Sequence, residues 1–392
     1  MKSIKRAVSF ISAAALSLGI LASCGKGDDS AAEAKKREFK DMTAQEYVRE
    51  MGIGENLGNT FEAYWSESRN ATSGCKSIGE NTPLNYETCW GAVETTKEVI
   101  DGMKASGFST VRVPVYWGNM MENDGEFKIN ADYMARVKQV VDWVIDDDLY
   151  CVINIHHYDE FIIKNKPQDE ALAAFKTVWT QIAEEFKDYD HHLIFEGYNE
   201  NVGTTREEDR YTESQIYDYV NALNQTFVDA VRATGGNNPK RLLIASGYWT
   251  NIDNTTKDSF KMPTDTVENK LMVSVHYIDN AMYWTDQIGG EKWKEYSKSQ
   301  CELLKAAFTD KGIPVFVGET TSIYDGERFL PDAEVKTSSE CLEYILTMAQ
   351  EYGFITVLWD VNDNFYSRTE YKIKSETDAA VITKIAELIK NS

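Results

Sequence analysis

Two glutamates in this chain stand at the ends of apolar runs. Glu200 closes Leu193-Ile194-Phe195-Glu196-Gly197-Tyr198-Asn199-Glu200, and Glu319 closes Ile313-Pro314-Val315-Phe316-Val317-Gly318-Glu319. Strands this apolar are buried on both faces in α/β proteins, so polar groups gathered at their C-terminal ends need a reason to be there. Two carboxylates on different strands, facing each other across a sugar, are what the breaking of a glycosidic bond requires. One gives a proton to the leaving oxygen, and the other supplies an anion on the opposite side of the ring. At a separation of ~5 Å the second carboxylate is a nucleophile, whereas at ~6.5 to 9.5 Å it activates a water.

The residues around the pair refine their roles. Arg112 is the only Arg or Lys near the C-terminal end of an apolar run, and a cation beside a carboxylate keeps it ionised. Glu196 shares a strand face with Glu200 under two-residue alternation, but lies deeper, and is read as a buried structural partner for Arg112. The adjacent His156 and His157 fall on opposite faces of a strand under the same alternation, which argues against one shared metal ion. No metal and no other cofactor is expected. No Gly-x-Ser-x-Gly elbow is present, so a serine esterase is disfavoured. Tyr64, Trp65, Trp117, Tyr158, Trp249 and Trp284 follow the ends of apolar runs, where each would either stack on sugar or pack a loop, whereas Trp179 and Trp293 lie within helical sequence and are read as core.

The elements that must position these residues alternate along the chain. Strand-like runs occur at 53–56, 110–115, 150–157, 193–199, 241–247, 271–277, 313–319 and 355–360. Helical patterns occur at 92–105, 133–146, 171–186, 217–234, 293–311 and 339–352. Eight strands with intervening helices and no break in composition predict a single (β/α)8 TIM barrel over residues 41–392. A doubly wound sheet is the second choice, disfavoured because no Gly-rich phosphate loop follows the first strand. In a barrel, all C-terminal strand ends open on one mouth. Asn59, Arg112, His156, His157, Asn199, Glu200, His276, Tyr277, Glu319 and the pair Trp359-Asp360 would converge there.

Composition limits the partners. The chain has 392 residues, 42% hydrophobic and 27% charged, and a formal charge of −22, which disfavours nucleic acid. A neutral ligand suits this surface, and the 9 Trp and 21 Tyr offer flat faces for one. Residues 1–24, with Lys2, Lys5 and Arg6 before a small and apolar stretch, read as an export signal. The signal ends at Leu21-Ala22-Ser23-Cys24-Gly25, which resembles the bacterial lipobox and implies a lipid on Cys24. Residues 25–40 are polar and read as a flexible tether. Membrane contact would then run only through the lipid, placing the protein in the bacterial cell envelope, lipid-anchored or secreted. Of the remaining cysteines, Cys75 with Cys89 is the preferred disulfide, Cys301 with Cys341 a further one, and Cys151 a buried thiol.

The set Asn56-Leu57-Gly58-Asn59-Thr60, Val111-Arg112-Val113-Pro114-Val115, His156-His157, Asn199-Glu200, His276, Gly318-Glu319 and Trp359 resembles glycoside hydrolase family 5, and within it the endo-β-1,4-glucanases. The resemblance implies a retaining double displacement on a β-1,4-glucan of the cellulose, mixed-linkage or xyloglucan type. Glu200 would be the acid/base and Glu319 the nucleophile. Asn199 would hold the sugar 2-hydroxyl, Arg112 would orient Glu319, His276 would assist Glu200, and Trp359 would floor the cleavage subsite. Asn59, Trp65, His156, His157 and Tyr277 join them as substrate-binding candidates on a monomeric enzyme. One departure stands out. The family carries His, any residue, then Tyr, with the Tyr bonding the nucleophile, where this chain has His276-Tyr277-Ile278, so that role passes to Tyr277 or to Tyr283. Mannan or xylan cleavage, or a glycan-binding protein with a degenerate site, are the competing readings.

Overall fold

Each apolar run is four to seven residues long and carries side chains on both faces, so it is stable only when neighbours cover both. In the computed structural model, eight parallel strands achieve this by closing into a barrel in strict sequence order. The structure describes residues 37–68, 77–158, 161–163, 166–200, 211–280, 287–329, 335–361 and 363–391. The strands are β1 (Ile53–Asn56), β2 (Thr110–Val113), β3 (Tyr150–Asn154), β4 (Leu193–Glu196), β5 (Leu243–Ser246), β6 (Leu271–His276), β7 (Val315–Thr321) and β8 (Ile355–Trp359). The barrel closes where β1 pairs with both β2 and β8. The expected (β/α)8 architecture is the observed one.

Two-residue alternation divides the core in two. Outward side chains such as Val111, Ile153, Phe195, Val275 and Val317 pack in one large cluster against helical residues including Val140, Val178, Leu223 and Ile345. Inward side chains Val152, Ile194, Ile244, Met272, Phe316 and Val357 form a second cluster inside the barrel. The helix Ala44–Met51 stops the barrel floor with Tyr47 and Met51, and its start is fixed by a capping box between Thr43 and Glu46. Above the inner apolar layer comes a polar one, in which Asn56, Arg112, Asn154, Glu196 and Ser274 are all fully buried. The catalytic candidates rest on this layer.

The sequence patterns overran several strand ends, because the residues after Asn154 and Glu196 turn toward the mouth and leave the ladder. They missed the helix Glu376–Asn391, which packs Ile382 and Ile385 into the outer cluster, and the small hairpin of Tyr366–Ser367 with Lys372–Ile373. Cys301 and Cys341 are not a disulfide: each is a separate buried thiol that packs as a small apolar group, with burial pushing it up to about 12. Cys151 is likewise a buried thiol in β3. Cys75, Cys24, Tyr283 and Trp284 lie outside the described residues. At the end of the expected tether, Arg37 pairs with Asp148 and the Lys40 amide donates to His191 Nδ1 at 3.3 Å. Among the described residues, no helix is long and apolar enough to cross a membrane.

Candidate active site

The segment after β4 is pinned at nearly every backbone atom. The Gly197 amide donates to Ile244 O at 2.9 Å, and the Trp179 indole donates to Gly197 O at 2.9 Å. The Tyr198 amide donates to Ser246 Oγ at 3.0 Å, and the Asn199 amide to Ile155 O at 3.2 Å. Glu200 is thereby delivered to the mouth from a stretch held by both neighbouring strands. Asn199 accepts at Oδ1 from Arg112 Nη2 at 2.9 Å, which leaves its amide N–H groups to donate into the cavity.

Glu319 reaches the mouth through an irregularity. Between β6 and β7 the register passes from Val275–Val317 to His276–Glu319, so one residue, Gly318, is extra on β7. A Cβ at Gly318 would approach His276 Nε2 to 3.2 Å and Glu196 Oε1 to 3.3 Å, and the Gly318 carbonyl accepts from Asn56 Nδ2 at 2.9 Å. The bulge re-aims Glu319 at the cavity.

Three groups hold the Glu319 carboxylate. Arg112 Nη1 donates to Oε1 at 3.1 Å, Tyr277 Oη donates to Oε2 at 2.9 Å, and His276 Nδ1 lies 3.6 Å from Oε2. Burial pushes this carboxyl above the ordinary range and the charge of Glu200 adds to the effect, while His276, Arg112 and the Tyr277 hydrogen bond oppose it. Tyr277 is thus a tyrosine that bonds Glu319. Arg112 itself is fully buried, and Nε donates to Glu196 Oε2 at 2.8 Å. Glu196 also accepts from Ser274 Oγ at 2.7 Å and Asn154 Nδ2 at 3.0 Å, so it is the structural partner expected of it.

His276 joins the two glutamates, with Nδ1 2.7 Å from Glu200 Oε1. One carboxylate oxygen of Glu200, one of Glu319 and a His276 nitrogen all lie within 4.8 Å of one another. That spacing fits a nucleophile and an acid/base rather than a pair with water between them.

A cavity of about 600 Å³ opens over the pair. Asn59, His156, His157, Asn199, Glu200, His276, Tyr277, Glu319 and Trp359 line it, with Arg112 just beneath. His156 and Trp359 lie parallel, with ring centroids 6.3 Å apart, and burial together with the neighbouring His157 holds His156 well below its ordinary range, hence neutral. The alternation argument for the two histidines fails, because His157 has φ 49° and both rings face the cavity. Trp65 does not line the cavity. Trp90, from the same loop, takes that place, with its indole donating to Tyr64 O at 2.9 Å. Trp249 also lines it and is 38% exposed, whereas Trp117 and Tyr158 are buried loop packing. Glu62, Asn280, Tyr296 and Gln300 also line the wall, and none was singled out from the sequence. Positive φ values at Asn59, His157, Trp249, Thr250, Tyr277 and Asn280 concentrate backbone strain around this one mouth.

The model of the cellulase family, glycosyl hydrolase family 5, matches residues 75–365. The chain belongs to this family. As a family 5 hydrolase it is 37% identical over 330 residues to endoglucanase A of Clostridium longisporum, covering 82% of this chain and 60% of that one. It thus spans less than two thirds of that relative's length. It is 30% identical to the xyloglucan-specific endo-beta-1,4-glucanase of Bacteroides ovatus, over 88% of this chain and 71% of that one. The solved broad-specificity endoglucanase of Ruminococcus champanellensis with bound cellotriose superposes with a TM-score of 0.75 at 32% identity, covering 88% of this chain and 99% of that one. In this family 5 hydrolase, carboxylate oxygens of Glu200 and Glu319 lie within 4.8 Å of each other and Tyr277 bonds Glu319.

Proposed function

We propose that this chain is a retaining, endo-acting β-1,4-glucanase, and that Glu200 and Glu319 carry the reaction. The close approach of the two carboxylates, within 4.8 Å, supports this reading most directly. Glu319 attacks the anomeric carbon as Glu200 passes its proton to the departing glycosidic oxygen. The bond to the leaving sugar breaks and a glycosyl ester on Glu319 forms. Water then attacks the same carbon, gives a proton to Glu200 and frees Glu319, so the configuration is retained. Arg112 and Tyr277 hold Glu319 ionised and aimed. The Asn199 amide donates to the sugar 2-hydroxyl, His276 holds Glu200 in place through the contact at Nδ1, and Trp359 forms the floor under the cleaved sugar.

The substrate is a β-1,4-linked glucan of the cellulose, mixed-linkage or xyloglucan type, in keeping with the endoglucanase and xyloglucanase relatives. The Tyr277 to Glu319 hydrogen bond removes the one feature that favoured a degenerate binding protein. Reducing-sugar release from carboxymethyl cellulose, lichenan, xyloglucan, glucomannan and xylan tests this, with proton NMR reading the first-formed anomer. A β-anomer from the glucans is the expected result. Release from xylan or mannan alone, or binding without release on all five, sinks it.

The chain works as a monomer, tethered to the cell envelope by a lipid on Cys24. The lipid anchor rests on the sequence Leu21-Ala22-Ser23-Cys24-Gly25. Fatty-acid labelling of the protein expressed in a bacterium should be abolished by Cys24→Ala, and label retained in that variant refutes the anchor. Light scattering on the soluble domain reads the oligomeric state.

A further inference from the structure

The wall of the cavity beside Trp359 is built on the turn after β1, and that turn is held by two charged side chains. Glu62 is 1% exposed, and its carboxylate accepts from the Asn59 amide and from the Thr60 amide, the latter at 3.0 Å. Arg368 is 2% exposed; its Nη1 donates to Thr60 Oγ1 at 2.7 Å and its Nη2 to Gly58 O at 2.8 Å. Three consecutive residues, Gly58 to Thr60, are therefore gripped from both sides. Asn59 sits between the grips with φ 55°, a conformation that a lone asparagine adopts only at some cost, and it faces the cavity.

The same grip reaches Trp359. Gly58 bridges to Val361, two residues beyond Trp359, and a Cβ on Gly58 would stand 2.4 Å from Asp360 O. The Asp360 carboxylate in turn accepts from the Phe365 and Tyr366 amides at 2.9 and 3.0 Å, which orders the strand end leading to Arg368. Glu62 and Arg368 both fall outside residues 75–365, the part of the chain that the family model matches.

The barrel order says which sugar this wall meets. Glu200 follows β4 and, in the proposed reaction, passes its proton to the leaving sugar. Trp359 ends β8 and Asn59 follows β1, across the barrel from β4 and β5, the side that the proposed reaction gives to the sugar chain retained on Glu319, the glycone side.

We propose that Glu62 and Arg368 are positioning residues for glycone binding: together they hold Asn59 against the sugar, and the charge on Glu62 sets how firmly the grip closes. An ionised carboxylate accepts both amide hydrogens strongly, and a neutral carboxyl accepts them weakly. Burial raises Glu62 to about 7, with the amides and Arg368 opposing it, so the grip changes strength near neutral pH. The titratable groups around it are Arg368 from the C-terminal segment, Tyr133 from the helix Ala131–Asp146, and His156 and His157 across the cavity, with Glu55 and Asp360 behind Arg368. His156 is held neutral and Tyr133 is pushed far above its ordinary range, both by burial, and Glu62→Gln separates the Glu62 step from any that His157, Glu55 or Asp360 adds.

The inference rests on the glucan reading, and its test separates the two. The full enzyme carrying Glu319→Gln, which cannot turn over and lacks the titration of Glu319, is titrated calorimetrically with cellotriose from pH 5.5 to 8.5. Affinity should rise several-fold as pH rises through about 7. Adding Glu62→Gln should remove that step. Adding Arg368→Gln should move it to higher pH, since Arg368 favours the ionised carboxylate, and Arg368→Lys should restore part of the shift. A merely structural role would weaken binding equally at every pH. A step that survives Glu62→Gln overturns the proposal; if that variant does not fold, a step unmoved by Arg368→Gln does so. Should the parent protein bind mannotriose or xylotriose in place of cellotriose, the glucan reading falls and the same comparison on that sugar still decides the grip.

Discussion

Tyr277 touches Glu319 twice: its phenol donates to Oε2 at 2.9 Å, and its amide donates to the Glu319 carbonyl at 2.8 Å. Strand alternation alone would point the residue after His276 away from the cavity, and what reverses it is the left-handed backbone of Tyr277, φ 51°. Ile278, at the position where the family carries its tyrosine, is fully buried instead. Tyr277 thus makes the contact on Glu319 from one residue earlier. Burial and the adjacent Glu319 hold the phenol protonated far above its ordinary range, so it remains a donor throughout the working pH range.

Tyr277→Phe removes the phenol and keeps the ring. A hydrogen bond to a charged group is worth about 1.5–3 kcal/mol, so turnover should fall roughly ten- to a hundredfold if the bond is used in the reaction. The bond lowers the Glu319 carboxyl, and its loss raises it. The acid limb of the kcat/KM profile, where the nucleophile must be ionised, therefore moves to higher pH. An acid limb that stays in place would show that Tyr277 only packs.

The roles of the two glutamates separate under azide. In Glu319→Ala, Glu200 still protonates the leaving group, and azide enters from the vacated side, giving an inverted glycosyl azide. In Glu200→Ala, the ester on Glu319 still forms from an activated aryl glycoside, and azide releases it with retained configuration. Loss of turnover in water should be large in both cases, and chemical rescue with NMR of the product reads the assignment. Swapped configurations reverse it.

Much of this site was legible because it is written in residue type. Apolar runs located all eight strands, and the alternation of Glu196 with Glu200, together with the need to pair a buried charge, correctly set Glu196 on Arg112. What escaped was written in backbone conformation. The bulge at Gly318 and the left-handed residues His157 and Tyr277 change which way a side chain points without altering the apolar pattern. Trp90 displaced Trp65 because the course of their shared loop is set by tertiary contacts, among them the bond from Trp90 to Tyr64 O. Glu62 looked like one acid among many, since its partners are amides that have no signature in the sequence. The Cys301 and Cys341 pairing misled for a different reason: an even pair of cysteines in the sequence does not show that Cys301 on the helix Glu291–Ala307 meets Cys341 on Ser338–Glu351.

Glu196→Ala should be among the most damaging single changes away from the reacting atoms. Arg112 and Glu196 are both fully buried, and removing Glu196 takes the acceptor from Arg112 Nε and leaves Glu319 as the remaining carboxylate on the guanidinium. Breaking a buried pair in this way costs about 3–5 kcal/mol. Urea denaturation should show that loss, together with reduced turnover as Arg112 moves off Glu319. Glu185→Ala, which breaks a half-exposed pair with Lys138, should leave the midpoint nearly unchanged. Equal effects from the two changes would refute the central place given to Arg112.

The raised carboxyl of Glu62 also makes a stability prediction with a definite sign. In the unfolded chain it titrates at its ordinary 4.5, and in the folded protein at about 7. Between those values the folded state keeps a proton that the unfolded state has lost, so this group's contribution is fully present below pH 4.5 and is lost as pH rises to 7. Its size is about 3 kcal/mol. His156 acts in the opposite direction: burial keeps it neutral when folded, so stability is lost as pH falls below 6.5 and the unfolded imidazole takes up its proton. The two contributions have slopes of opposite sign in the native protein. Glu62→Gln removes one of them, because the glutamine does not titrate. The stability of the native protein minus that of Glu62→Gln, measured in urea at pH 4.5 and at pH 7, should therefore fall by about that amount, and a constant difference would mean that Glu62 is already ionised when folded at the lower pH.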